Sequence, residues 1–303
     1  MTLIRSLSVG YGDMFYIRHN SDSFTIIDCH MNEWDREDIV AEIKGQNIGK
    51  TITRFISTHP DEDHIKGLKY LDEQIGLLNI YTVGNAAIKN DPSESFQHYC
   101  TLRDSSRAYY VTAGCKRKWI NESDVERGGA GISFIWPDVS NAHYKGALSE
   151  AAKGNAFNNI SLVARYYIGE KAASFMWIGD LETEFMEAIE DSISLTKTTV
   201  VFAPHHGRES GKIPHSWLEK LDPQIIVIGQ APSRHLNYYT GYTTITQNKA
   251  FHITFDCEDD KVHIYSSNPE YSTRFNEFEN LSQSKFAGQK YIGSITVETN
   301  YTL

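Results

Sequence analysis

The sequence predicts a layered α/β (α+β) protein organised as one domain over residues 1–303. Three observations carry that expectation. Short apolar runs alternate with helix-like segments through the first half of the chain. Three separate apolar strands stop at residues able to bind a metal. No repeat, low-complexity stretch or break in composition marks a boundary between domains. A chain of 303 residues can bury a substantial core. Its 17 Tyr and 14 Phe argue against extended disorder.

Taken in order, Met14–His19 and Phe24–Cys29 form a hairpin across the polar turn Asn20-Ser21-Asp22-Ser23. An amphipathic helix follows over Glu33–Lys44, with Gly49 helping to end the segment. Thr51–Ser57 is a strand that runs into the polar cluster Thr58–His64. Helical spacing of Ile65, Leu68, Leu71 and Ile75 predicts a helix over Ile65–Ile75, and Leu77–Val83 is the next strand. Residues of about 85–130 form a polar insertion. Within it Lys116-Arg117-Lys118 beside Trp119 is either a contact for a phosphate backbone or a solvated face. Strands resume at Ile132–Trp136, and Ser161–Ile168 pairs with Ala173–Ile178 over Gly169-Glu170-Lys171. Leu181–Ile189 is helical. The strands Thr198–Ala203 and Ile225–Gly229 flank a helix near Ser216–Leu221. A last hairpin joins Phe251–Asp256 to Lys261–Tyr265 across Glu258-Asp259-Asp260. An extension of about 269–303 contributes a strand near Ser294–Thr299 or an interface.

The net charge of −10 argues against a broad basic surface for nucleic acid, although bound divalent ions would change the sign at a local site. Cys29, Cys100, Cys115 and Cys257 make no CxxC pair and read as reduced thiols, so a cytoplasmic protein is expected. Met1–Gly12 carries no export signal, and no run approaches the ~20 apolar residues of a spanning helix; no membrane partner is expected.

The densest chemistry lies in Thr58-His59-Pro60-Asp61-Glu62-Asp63-His64-Ile65-Lys66-Gly67. His59, Asp61, Asp63 and His64 are expected on a tight loop at a strand end, where alternate side chains converge. Imidazole nitrogen mixed with carboxylate oxygen suits Zn, Mn or Fe. The alternative is a charged loop whose aspartates cap a helix. Two further strand ends weigh against that alternative. Met176-Trp177-Ile178-Gly179 leads into Asp180, and Val200-Val201-Phe202-Ala203-Pro204 leads into His205-His206-Gly207. Ligand-type residues gathered at strand ends are how α/β enzymes commonly assemble a site.

These three motifs resemble the metallo-β-lactamase superfamily, and most nearly the soluble hydrolase domain of the competence protein ComEC. Val9-Gly10-Tyr11-Gly12-Asp13 is similar to that family's VGQGD opening, and Ile26-Ile27-Asp28 to its LID strand. Ile135-Trp136-Pro137 is similar to its LWPP, and Asn158-Asn159-Ile160-Ser161-Leu162-Val163 to its NNxSLV. The matches keep the family's order over residues of about 8–266.

The resemblance implies a four-layered αββα sandwich and two divalent ions, Zn or Mn, with Fe as a further option. By that likeness His59 and Asp61 bind one ion. Asp63, His64 and one of His205 or His206 bind the other, Asp180 bridges both, and Asp28 braces the loop from behind. The chain departs from the commoner HxHxDH loop at Asp61, and no histidine stands about twenty residues before Asp180. Asn158 and Asn159 lie there instead, as weak ligands, donors to substrate or strand caps. Where the family has Asp-Thr-Gly after this strand the chain has Asp28-Cys29-His30, and His30 is an extra ligand, a substrate contact or a structural residue.

The expected reaction is hydrolysis of a phosphodiester, in nucleic acid or a nucleotide, by a metal-activated hydroxide that Asp63 also orients. His235 is the candidate proton donor to the leaving oxygen, and Lys66 and Arg208 the candidate contacts to an anionic substrate. Two alternatives stay open. One is an ester, lactone or thioester hydrolase. The other is a non-catalytic protein that kept the fold.

Overall fold

Apolar and β-branched runs pair into two sheets in the computed structural model, which describes residues 1–169, 172–273 and 285–298. Among the described residues the larger sheet has nine strands. Its first six in sequence are β1 (Thr2–Ser6), β2 (Phe15–Arg18), β3 (Ser23–Ile27), β4 (Ile52–Ile56), β5 (Asn79–Thr82) and β6 (Ala108–Tyr110). The smaller has six: β7 (Ile132–Trp136), β8 (Val163–Tyr167), β9 (Ser174–Trp177), β10 (Val200–Phe202), β11 (Ile225–Ile228) and β12 (Thr244–Thr246). β13 (Ile253–Glu258), β14 (Lys261–Ser266) and β15 (Lys290–Thr296) return to the larger sheet, whose order is β15-β14-β13-β1-β2-β3-β4-β5-β6. β3 to β6 are parallel, as are β9 to β12. Parallel strands open their carboxyl ends at one edge, and the site residues follow those ends.

Aromatic side chains join the two sheets. Phe15 of β2 meets Phe202 and Trp177 at 4.7 and 6.0 Å between ring centres, and Phe255 of β13 meets Phe175 at 5.5 Å. These rings are buried, and burying each stabilises the fold by roughly 1.5–3 kcal/mol. Alternate residues face outward to helices. Tyr16 donates to Glu42 of α1 (Arg36–Gln46), and Tyr99 of α4 (Glu94–Arg103) bonds Thr82 of β5. On the other sheet Trp136 packs against Tyr144 of α5 (Ala142–Ala152) and Phe185 of α6 (Thr183–Ala188). Trp217, Leu218 and Leu221 bury one face of α7 (His215–Leu221), and the single turn α8 (Gln247–Ala250) follows β12. The layers run helix, sheet, sheet, helix, which is the αββα sandwich of the metallo-β-lactamase fold.

Several expectations change. The helix expected over Ile65–Ile75 is two pieces, α2 (Glu62–Ile65) and α3 (Leu68–Ile75). Gly67 breaks it at φ +91°, a conformation costly for any residue with a Cβ. Asp63 and His64 therefore lie in a short helical turn, not on an open loop. The polar insertion carries α4 and β6, and α5 and β1 were not anticipated. The predicted turn residues Glu170 and Lys171 lie outside the described residues, although β8 and β9 pair antiparallel as expected. Of the C-terminal extension, β15 adds an edge strand, and Thr299 lies outside the described residues.

Candidate metal centre

β4 delivers Ser57-Thr58-His59 to the sheet edge, and β3 beside it delivers Asp28. The Asp28 carboxylate accepts from the Thr58 amide (2.8 Å), the Thr58 hydroxyl (2.7 Å) and His64 Nδ1 (2.8 Å). The Thr58 hydroxyl, its proton given to Asp28, accepts from His59 Nδ1 at 3.2 Å. Asp13 plays the corresponding part for His206, accepting from its Nδ1 at 3.1 Å. His205 Nδ1 lies 2.9 Å from Ser210 Oγ. All four imidazoles are therefore held by Nδ1, and their Nε2 atoms turn inward to the Asp180 carboxylate.

The inward distances are short. His64 Nε2 is 3.1 Å from Asp180 Oδ1, while His59, His205 and His206 Nε2 stand 3.9, 3.8 and 3.7 Å from Asp180 Oδ2. Asp61 Oδ2 is 3.7 Å from His59 Nε2, and Asp63 Oδ2 is 3.1 Å from His206 Nε2. His59 Nε2 is buried without a hydrogen-bond partner, and His64 Nε2 and Asp180 Oδ1 are buried with none beyond their own ion pair. Such orphaned groups cost about 1–3 kcal/mol each unless something fills the space between them. A divalent ion at about 2.0–2.2 Å from each donor needs donors spaced as these are. Asp13, His64, Asp180 and His206 each offer an atom within 4.8 Å of the others. The donor set thus fits a metal centre, with the Asp180 carboxylate in its middle.

Without an ion the same groups share protons. Burial pushes the His59 imidazole down to about 3, and burial lowers His205 as well. Burial also disfavours charge on His64 and His206. Asp180 and Asp28 outweigh it at His64, which is held well above the usual range, and Asp13 and Asp180 outweigh it at His206, which rises to about 10. Asp180 suffers the same burial, yet His64 and His206 hold it well below the usual carboxylate range. The carboxylates thus favour positive charge at the centre, which bound cations would supply.

Backbone conformation places the ligands of the smaller sheet. Gly179, His205, His206 and Gly207 have φ of +63°, +52°, +56° and +82°. Two consecutive left-handed residues turn both histidine rings toward Asp180, so the tandem pair contributes two imidazoles where the sequence suggested one. Sequence reasoning missed Asp13, although the Gly10-Tyr11-Gly12-Asp13 opening contained it. It also missed Lys89, whose Nζ is 3.6 Å from Asp61 Oδ1.

Other candidates lie differently. Asn158 and Asn159 donate to Glu182 at 3.4 and 2.7 Å, and Asn159 accepts from the Glu182 amide, so both brace the turn after Asp180. Ser161 is the residue that accepts from the Asp180 amide, at 3.0 Å. Lys66 donates to Asn32, and Arg208 stands over the exposed Tyr11 ring at 5.9 Å. His235 accepts at Nε2 from Arg234 and bonds Tyr238 through Nδ1, so neither nitrogen is free in this arrangement. His30 is half-buried with Nδ1 unpartnered, and burial lowers it to about 4. Lys118 pairs with Asp124, and Arg117 lies over Tyr109 at 4.4 Å.

No family model and no curated protein matches the chain. Among solved structures it is similar to a Glu-to-Asp mutant of CmlA β-hydroxylase, with a TM-score of 0.47 and 11% identity over 84% of this chain. The chain spans about half of that protein, 53% of its length. It is also similar to the BLEG-1 B3 metallo-β-lactamase (TM-score 0.31, 16% identity, 59% of this chain and 72% of that one). A third is the metallo-β-lactamase SMB-1 bound to 2-mercaptoethanesulfonate (0.34, 13%, 65% and 78%). At these identities the likeness does not extend to an activity.

Proposed function

We propose that the protein is a metal-dependent hydrolase that cleaves phosphodiester bonds, as a nuclease or nucleotide phosphodiesterase. The observation that carries the metal-dependent part is the convergence of four histidine Nε2 atoms on Asp180. The ligands divide between two ions. His59, Asp61 and His205 would hold one, Asp63, His64 and His206 the other, and Asp180 would be shared by both. In this reading His205 takes the place of the histidine absent before Asp180, which would weaken the case for a non-catalytic protein. Bound ions of the Zn, Mn or Fe type would lower the pKa of water toward about 7 and polarise phosphoryl oxygens. Asp28 and Asp13 fix the imidazole tautomers, and Asp63 orients the attacking water.

The phosphodiester part draws on the ComEC-like order of motifs, the carboxylates Asp61, Asp63 and Asp180 among the donors, and the cations Lys66, Lys89 and Arg208. A reducing, cytoplasmic compartment suits the four free thiols. Among the described residues no helix is long and apolar enough to cross a membrane. The test is elemental analysis of protein purified without chelator, paired with hydrolysis of bis-p-nitrophenyl phosphate under added Mn or Zn. Close to two ions per chain and diester cleavage are expected. Metal without diester cleavage moves the substrate class to esters or lactones, and absence of metal overturns the proposal.

A further inference from the structure

Lys89 enters the metal centre from a neighbouring strand end. β5 runs parallel to β4, so the chain leaving β5 emerges at the edge that carries His59. The segment is then tied down. Asn85 accepts from the Ala87 amide, Arg103 donates to the Ala87 carbonyl, and the Ile88 amide donates to the Ala151 carbonyl. The Lys89 ammonium lies 4.9 Å from the Phe96 ring centre and 5.2 Å from that of Phe157. Its side chain is 20% exposed. Packing between two rings removes much of the rotamer freedom a lysine usually loses on binding.

Asp61 divides its two oxygens. Oδ2 faces His59 Nε2 at 3.7 Å, in the place of a metal ligand, and Oδ1 faces Lys89 at 3.6 Å. Among the described residues Asp61 is the carboxylate within ion-pair distance of Lys89. Once Asp61 gives its charge to a cation, the ammonium beside it is left with the faces of two rings as its company and stays fixed in position. An anion restores the balance. A neutral ester or lactone would gain less from a charge held there, because a carbonyl oxygen is a weaker acceptor than a charged phosphoryl oxygen.

We propose that Lys89 is a substrate-binding residue whose ammonium holds an anionic phosphoryl oxygen of the substrate beside the half of the centre built from His59 and Asp61. This rests on the phosphodiester reading and adds which group of the chain selects for the anion. The test compares metal-loaded wild type with Lys89→Met and Lys89→Arg, using calorimetry with inorganic phosphate and elemental analysis of the same samples. Methionine keeps the unbranched stem between the two rings. Lys89→Met is expected to retain its metal and to bind phosphate between about ten- and a hundredfold more weakly, with Lys89→Arg recovering part of the loss. Unchanged phosphate affinity at full metal content overturns the proposal. So does loss of metal in Lys89→Met, which would make Lys89 a brace for Asp61. Wild type that holds metal and binds phosphate but cleaves no diester would sink the phosphodiester reading, while the comparison of variants still decides the anion site.

Discussion

The two sheets supply the metal centre by different means. The nine-stranded sheet sends out a short run, His59 to His64, and backs it with side chains: Asp28 holds His64 directly and His59 through Thr58. The six-stranded sheet sends out Asp180 and His205-His206 from the adjacent parallel strands β9 and β10, and sets them with backbone. The His205 amide donates to the Gly179 carbonyl at 3.1 Å, locking one turn to the other. Asp13 crosses from the first sheet to hold His206. Side-chain bracing can be weakened in steps, because an isosteric change keeps the fold. Backbone bracing fails together with local stability.

Asp180 belongs to both halves, and its loss should have the largest effect. Asp180→Asn keeps the shape but removes the charge shared by four histidines. Elemental analysis should find both ions depleted, and diester turnover should fall by at least about a thousandfold, beyond the 10–100-fold typical of an outer partner. Retention of one ion at full occupancy would show that Asp180 does not bridge. Gly179→Ala should come next and tests the backbone side. A Cβ there would lie 2.7 Å from Ser161 Cβ and Oγ and 3.0 Å from Thr58 Cβ, at φ +63°. A loss of about 2–4 kcal/mol in denaturant unfolding is expected, along with weaker metal binding. An unchanged unfolding midpoint would contradict the contrast between the sheets.

The first sheet's ligands were legible because they fall within six residues, and proximity in sequence needs no fold to interpret. Asp180 and the tandem histidines were legible because each ends an apolar run. Asp13 was not, since its partner is 193 residues away and the contact arises only when the sheets close. Lys89 was not, because a lone lysine in a polar stretch carries no period. The missed helices did carry signals. Ser93 caps α4 by accepting from the Phe96 amide, and Asn141 caps α5 by accepting from the Tyr144 amide. In α4 the buried Phe96, Tyr99 and Leu102 recur every third residue, a stripe diluted by the charged and polar residues between them. The break at Gly67 was hidden because the apolar spacing continues across it.

The smaller effects sharpen the comparison from the side-chain half. Asp28→Asn should keep the fold at a cost of about 1–3 kcal/mol in unfolding, since its amide nitrogen would face donors, and weaken metal affinity by roughly 10–100-fold, measured by competition with a chromophoric chelator. Asp13→Asn should act likewise, but through His206 alone. Equal depletion of both ions by Asp13→Asn would mean that the second sheet's histidine is not separately braced. His235→Ala should do least. Arg234 donates to its Nε2 and Tyr238 occupies its Nδ1, an arrangement that leaves no proton directed at a substrate. Metal content should be unaffected and turnover should change by less than about tenfold, under the 10²–10⁴-fold contribution of a general acid. A loss of a hundredfold or more, with metal retained and a flattened basic limb in the pH–rate profile, would instead mean that the Arg234–His235–Tyr238 cluster opens in the substrate complex and returns His235 to the role of proton donor.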